Sequence, residues 1–310
     1  MLIKVLGSAA GGGFPQWNCN GRNSADVRQG LPGLMPRTQA SVAVSADGKQ
    51  WVLLNAAPDL RQQIIDTPEL HPVRGAGTRN SPIKAVVLTN ADVDALAGLL
   101  CLREGQPLTI YGSSRVLDVL AENSIFDVLD AAIVKRVAME FGEPFAVEGP
   151  SGPVGLTIES FSVPGKIPLY LETEDAKGNY GSQEGDTVGL KVTESRNGHH
   201  FFYIPGCARL DNPLRARLKN APLVFFDGTL YTNDEMVAQG LVNKTGERIG
   251  HMNMSGEAGT VAQFAPLNVG RKIFIHINNS NPVLRDNSPE RAAIERAGWE
   301  VAYDGMEVRV

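Results

Sequence analysis

The chain has 310 residues, 43% apolar and 20% charged, a globular balance with room for one large domain or two ordinary ones. A net charge of −5 without a basic run argues against nucleic acid as the main partner. No apolar stretch approaches the ~20 residues needed to span a bilayer, and three scattered cysteines, Cys19, Cys101 and Cys207, make neither a CxxC pair nor a disulfide framework, so reduced thiols in a cytoplasmic protein are expected.

In chain order, residues 2–6 read as a strand that runs into the glycine-rich stretch 7–13. Too short an apolar run for a signal peptide opens the chain. No helix follows the glycines, so a dinucleotide-binding loop fits poorly. Residues 20–36 are polar and broken by Gly and Pro, and predict a loop. Strands fit 39–44 and 51–55, joined by a turn at 46–49, and 58–65 fits a short helix with Pro near its start. Residues 85–88 predict a buried strand, 89–94 a polar turn, and the leucines from 96 to 102 a helix. A strand at 108–111 and a helix at 113–123 capped by Ser113 come next, with a second helix at 124–131. Strands suit 133–139, 154–163, 187–193 and 199–204; the acidic, glycine-bearing stretch 172–185 reads as a mobile loop. Helices at 209–219, 234–238, 255–265 and 289–297 alternate with strands at 223–226 and 272–277, and two short strands near Glu300 and Glu307 close the chain. One domain over 1–310, two sheets with helices outside, is the economical arrangement.

Polar residues recur where apolar strands stop. Asn90, Asp92 and Asp94 follow the strand at 85–88, Cys207 follows 199–204, Asp227 ends 223–226, and His276 ends 272–277. His251 follows a glycine before a predicted helix. If these strands share a direction, their ends gather at one edge, where sites of α/β proteins lie. Asp92 and Asp94 then either cap a helix or offer oxygen ligands to a cation. The adjacent His199 and His200 fit a polar strand start.

These residues sit in runs that resemble a known family. The order T-x-x-x-x-D-x-x-x-G, P-G-C, D-G-T, G-H-M and a late H-I-N-N is similar to the metallo-β-lactamase superfamily. The runs VLGSAAGGGFPQWNCN, PRTQASVAVS, LTNADVDALAGLL, IPGCA, FFDGTLYTNDEM, GHMNMSG and FIHINNSNP resemble, within it, the PqqB family of pyrroloquinoline quinone (PQQ) biosynthesis. The resemblance implies an αββα sandwich. It implies metal ligands at Asp92, Asp94, His251 and His276, with Asp227 as a further ligand or an orienting group and catalytic work at Asp227 and His251. The superfamily's H-x-H-x-D-H falls on Asn90, Asp92, Asp94 and Ala95; family members usually keep a histidine where Ala95 stands, so weak metal binding is expected. The family's CNCxxC zinc motif reads CNGRNS here, and with only Cys19 left no structural zinc is expected. Two histidines with carboxylates suit one divalent ion, Fe(II) before Zn. The resemblance further implies metal-dependent hydroxylation of a Glu–Tyr-derived PQQ precursor, with Arg37 or Arg103 meeting substrate carboxylates. Its alternative is a non-catalytic carrier in transport of PQQ or its precursor to the periplasm, and a superfamily hydrolase is the third. Partners would be PQQ or its precursor and other proteins of that pathway.

Overall fold

A computed structural model describes residues 1–172 and 183–310. Six strands in the first half build one sheet: β1 (Leu2–Gly7), β2 (Ser41–Ser45), β3 (Trp51–Leu54), β4 (Ile83–Val87), β5 (Leu108–Gly112) and β6 (Val134–Ala138). Seven build a second: β7 (Phe145–Gly149), β8 (Gly152–Ser162), β9 (Val188–Glu194), β10 (His200–Ile204), β11 (Leu223–Asp227), β12 (Arg271–Ile275) and β13 (Trp299–Val301). The last strand, β14 (Glu307–Arg309), returns to pair with β1. The sheets run β14-β1-β2-β3-β4-β5-β6 and β13-β12-β11-β10-β9-β8-β7.

Strand alternation sends successive side chains to opposite faces and so divides the core into layers. Val52 and Leu54 enter the layer between the sheets, whereas Trp51 and Leu53 face outward. Phe225 joins the same inner layer and Phe226 the outer face of the second sheet. The helices cover these outer faces. On the first sheet lie α2 (Leu60–Asp66), α3 (Val93–Leu96) with the leucine-rich turns after it, and α4 (Ser114–Glu122); on the second lie α5 (Asn212–Leu218), α7 (Thr260–Phe264) and α8 (Pro289–Arg296). The molecule is therefore the expected sandwich of two sheets between helical layers.

Sheet direction positions the site. β3 to β6 are mutually parallel, and so are β10 to β13. Covered on both faces, the central strands β4, β5 and β11 read as largely apolar runs, and β11 is buried at all of its positions. Their carboxyl ends carry the loops after Val87, Ile204, Asp227 and Ile275.

The structure departs from the sequence expectations in identifiable places. Residues 22–28 form α1 (Arg22–Arg28) inside the predicted loop, because Asn23, Ser24 and Val27 are buried there by tertiary contacts. The helix expected over 255–265 is only Thr260–Phe264. Ser255 does not cap it; its hydroxyl donates to the Tyr231 carbonyl at 2.7 Å, and Gly256 turns away at φ 82°. α5 starts at Asn212, with Asp211 accepting from the Leu214 amide. Residues 124–128 make a tight helical turn rather than an α-helix. β7 was not expected, having only five residues between turns. α6 (Glu235–Ala238) matches its expectation. Of the predicted loop over 172–185, residues 173–182 lie outside the described residues. Among the described residues no helix is long and apolar enough to cross a membrane.

Candidate metal centre

Asp227 ends β11 and is fully buried. One carboxylate oxygen accepts from the Cys207 amide at 2.8 Å and faces His251 Nδ1 at 2.7 Å. The other accepts from the amide and hydroxyl of Thr229, at 3.0 and 2.7 Å. The Asp-Gly-Thr turn holds because Gly228 passes close to β12: a β-carbon there would lie 2.8 Å from Phe274 Cβ and 3.1 Å from the Ile275 carbonyl. That contact reserves the position for glycine.

The carboxylate fixes His251 Nδ1 as the protonated nitrogen, leaving its Nε2 as an acceptor. Thr229 has one proton, which Asp227 takes, so its oxygen accepts from His276 Nδ1 at 2.9 Å. His276, at φ 62°, thereby turns Nε2 toward Asp94 Oδ2, 2.9 Å away. The two imidazoles stack with centroids 5.1 Å apart. One threonine hydroxyl thus orients both rings.

With His276 Nδ1 protonated, its Nε2 and the Asp94 carboxylate are two acceptors in contact. Such a pair needs a proton or a cation between its members. Without a metal the proton sits on histidine: burial works against it, but the Asp94 hydrogen bond and the charges of Asp94, Asp227 and Asp92 outweigh burial and raise the His276 pKa. Burial pushes Asp94 up, yet the bond and charge of His276 hold it below the ordinary range. Asp92 has no such partner, and burial followed by the Asp94 charge raises it. The same spacing suits a metal. Two ligand atoms ~2.1 Å from one ion and roughly perpendicular lie ~3 Å apart. Ligand atoms of Asp227, His251 and His276 all fall within 4.8 Å of one another. Imidazoles with carboxylates accept Fe(II), Zn or Mn, so the residues present fit a divalent ion.

Asp92, Asp94, Thr229, His251 and His276 line a cleft of about 830 Å³. Asp92 and Asp94 reach it from the loop after β4, and Ala95 lines it with a methyl group where no donor is available. Gly11, from the glycine-rich loop, closes the opposite wall; a β-carbon on it would lie 3.3 Å from Asp94 Oδ2. Asn55 braces the β4 loop, exchanging hydrogen bonds with the Thr89 amide and hydroxyl at about 3 Å. Lys166 enters from the segment after β8, its pKa lowered by burial against the opposing charges of Asp92 and Glu172.

Neither arginine expected at the substrate lines this cleft. Arg37 is buried and donates to the Ala302 carbonyl and to Ser8. Burial pushes its pKa down to about 10. Its low exposure leaves no face for a ligand. Arg103 is exposed on the outer helical layer, beside its neighbour Glu104. Cys19 also lines the cleft, but its thiol donates to Asn279 Oδ1 and accepts from the Gly21 amide. It joins no cluster of three metal-ligating side chains among the described residues. Thr229, Asn55 and Lys166 escaped the sequence reading. Thr229 had a signal in the Asp-Gly-Thr run; an isolated lysine after Pro-Gly gives none.

Residues 50–277 match the family model described as "Beta-lactamase superfamily domain". "Coenzyme PQQ synthesis protein B" of Xanthomonas oryzae pv. oryzae is 54% identical over 308 residues, 99% of each chain. The protein of the same name from Gluconacetobacter diazotrophicus is 52% identical over 305 residues, 98% of each. The solved structure of "Zn(2+)-bound PqqB from Methylobacterium extorquens" matches with a TM-score of 0.93 and 47% identity, covering 100% of both chains.

Proposed function

This chain belongs to the coenzyme PQQ synthesis protein B family, within the beta-lactamase superfamily, and on that premise we propose that it hydroxylates a Glu–Tyr-derived precursor of PQQ in a metal-dependent reaction, with Fe(II) as the favoured ion. The observation that carries the proposal is the convergence of two imidazoles and two carboxylates, Asp92, Asp94, His251 and His276, on one open cleft, with the buried Asp227 held against His251. Asp92, Asp94, His251 and His276 would hold the ion, with Asp227 as a further donor or as the group that fixes His251. A bound Fe(II) would supply O₂ activation. Zn is the alternative occupant, and a relative holds it.

The chain's own residues do the rest. Thr229 and Asp227 hold both rings in one tautomer, which orients ligands and tunes their basicity. His251 and Asp227 form a pair able to accept a proton at the edge of the cleft. Hydroxylation puts one oxygen atom of O₂ on the ring and releases the other as water, so an external two-electron reductant must be supplied. The test is anaerobic loading with Fe(II), addition of precursor and reductant, and measurement of O₂ uptake with hydroxylated product. Stoichiometric coupling of the two supports the proposal; O₂ uptake without product sinks it.

Ala95 favours a second reading, a non-catalytic carrier of PQQ or its precursor that works with other proteins of the pathway. Tight binding of the quinone without turnover under any metal would support it.

A further inference from the structure

We propose that Lys166 is the anion-binding pole of the cleft and holds a carboxylate of the substrate across from the metal-binding residues. The inference deepens the function proposed above and rests on it for the identity of the substrate, whose glutamate-derived part carries carboxylates.

Three observations carry it. The first is the state of the cations around the cleft. Lys244 and Arg248 both pair with Glu172, Arg248 through two hydrogen bonds of 3.1 and 2.9 Å. The ammonium of Lys166, by contrast, makes no hydrogen bond or ion pair among the described residues. An ammonium offers three donors, and a half-buried one without partners is costly unless something occupies it.

The second is that its position is built. Its stem lies across the α-carbon of Gly250, where a β-carbon would come within 2.7 Å of Lys166 Cγ. Gly250 directly precedes His251, so the lysine stem and the imidazole share one support. The backbone beneath is fixed as well. Thr187 donates its hydroxyl to the Lys166 carbonyl at 3.3 Å, and the Ala208 amide donates to the Pro164 carbonyl at 2.6 Å. A β-carbon at Gly165 would lie 2.2 Å from Thr187 Oγ1.

The third is the opposite wall. The β4 loop is tied to the same anchor: the Val188 amide donates to the Thr89 carbonyl at 2.8 Å, and Asn90 bridges to Thr187. Lys166 and Asp92 therefore face one volume from two loops locked to a single strand start. Asp92 is the competing partner. As a ligand it would be committed to the ion, leaving the lysine to an incoming carboxylate, a charge-assisted contact.

The experiment titrates PQQ, a tricarboxylate, and its trimethyl ester into the metal-free and Fe(II)-loaded protein, following quinone absorbance and intrinsic fluorescence. Wild type is expected to bind the free acid at least tenfold more tightly than the ester. Lys166→Met is expected to lose about ten- to a hundredfold in affinity for the acid and most of that preference, while Lys166→Arg keeps both. Thermal melting and metal content of each variant show that fold and ion site are intact. Equal affinity of wild type and Lys166→Met for PQQ would make the lysine only a counter-ion of Asp92 and overturn the inference, as would a wild type that does not distinguish acid from ester. Neither result touches O₂-dependent turnover, which is measured separately, so hydroxylation and carboxylate binding fail independently.

Discussion

Thr229 has one hydroxyl proton and two imidazoles to orient, and the chemistry of the cleft depends on how that proton is used. It donates to Asp227 and accepts from His276 Nδ1. Thr229→Val keeps the shape and removes these bonds, together with the hydroxyl's contacts to His251 Nδ1 and the His276 carbonyl, each at 3.0 Å. Fe(II) or Zn affinity, measured by competition with a chelating dye, should fall about ten- to a hundredfold, the usual cost of losing an orienting partner. An unchanged affinity would mean the rings are held by packing alone. Ala95 argues in the other direction. Its methyl lines the cleft beside Asp94, so Ala95→His adds an imidazole to the cleft wall. Metal should bind at least tenfold more tightly, with faster O₂-dependent turnover. Equal metal content and equal turnover in both proteins would place position 95 outside the coordination shell.

At the scale of elements, α1 shows both what the sequence reveals and what it hides. Its seven residues have too little apolar periodicity to stand out from a loop. What makes them helical is distant in sequence. Asn23 Nδ2 donates to the carbonyls of Asn279 and Asn281, at 3.1 and 3.0 Å, while Arg285 donates to Asn23 and pairs with Asp26. Amide and guanidinium groups hold the loop that follows Cys19. Purified protein should hold no stoichiometric zinc that is lost on Cys19→Ala. Asn23→Ala should cost about 1–3 kcal/mol in urea unfolding, because it strips a donor from two buried carbonyls. A change below about 0.5 kcal/mol would mean that water replaces the amide. The strands were legible for the converse reason. β4, β11 and β12 are apolar runs that end abruptly in polar residues, a local pattern, and their ends bring Asp92, Asp94 and His276 to the cleft, with Asp227 buried against His251. The arginines were misplaced because substrate contact is a property of the assembled cleft. Arg37 is buried against the Ala302 carbonyl and Arg103 lies in solvent, and neither fact is written in their neighbours.

At the scale of the whole molecule, one buried carboxyl ties together the segments that follow β11 and β12 beside the cleft. Glu235 on α6 is almost wholly buried. It accepts from the Tyr231 amide at 2.7 Å and the Ser280 hydroxyl at 2.5 Å. Ser280 belongs to the turn after β12, in which Asn281 donates to the carbonyls of Gly228 and Thr229. Burial raises the Glu235 pKa to about 7 from an ordinary 4.5, against the hydrogen bonds that lower it. Below pH 4.5 folded and unfolded chains both hold the proton, and the contribution to stability is complete. Between pH 4.5 and 7 the unfolded chain releases the proton while the folded one keeps it. Stability therefore falls as pH rises through this window, by on the order of 3 kcal/mol in total, and levels off above it. Glu235→Gln carries the neutral form at every pH. The difference in unfolding free energy between variant and wild type should grow in the variant's favour from pH 4.5 to 7 and stay constant beyond. A difference that does not change with pH would show that Glu235 titrates alike in the folded and unfolded chains, the Tyr231 and Ser280 hydrogen bonds offsetting its burial.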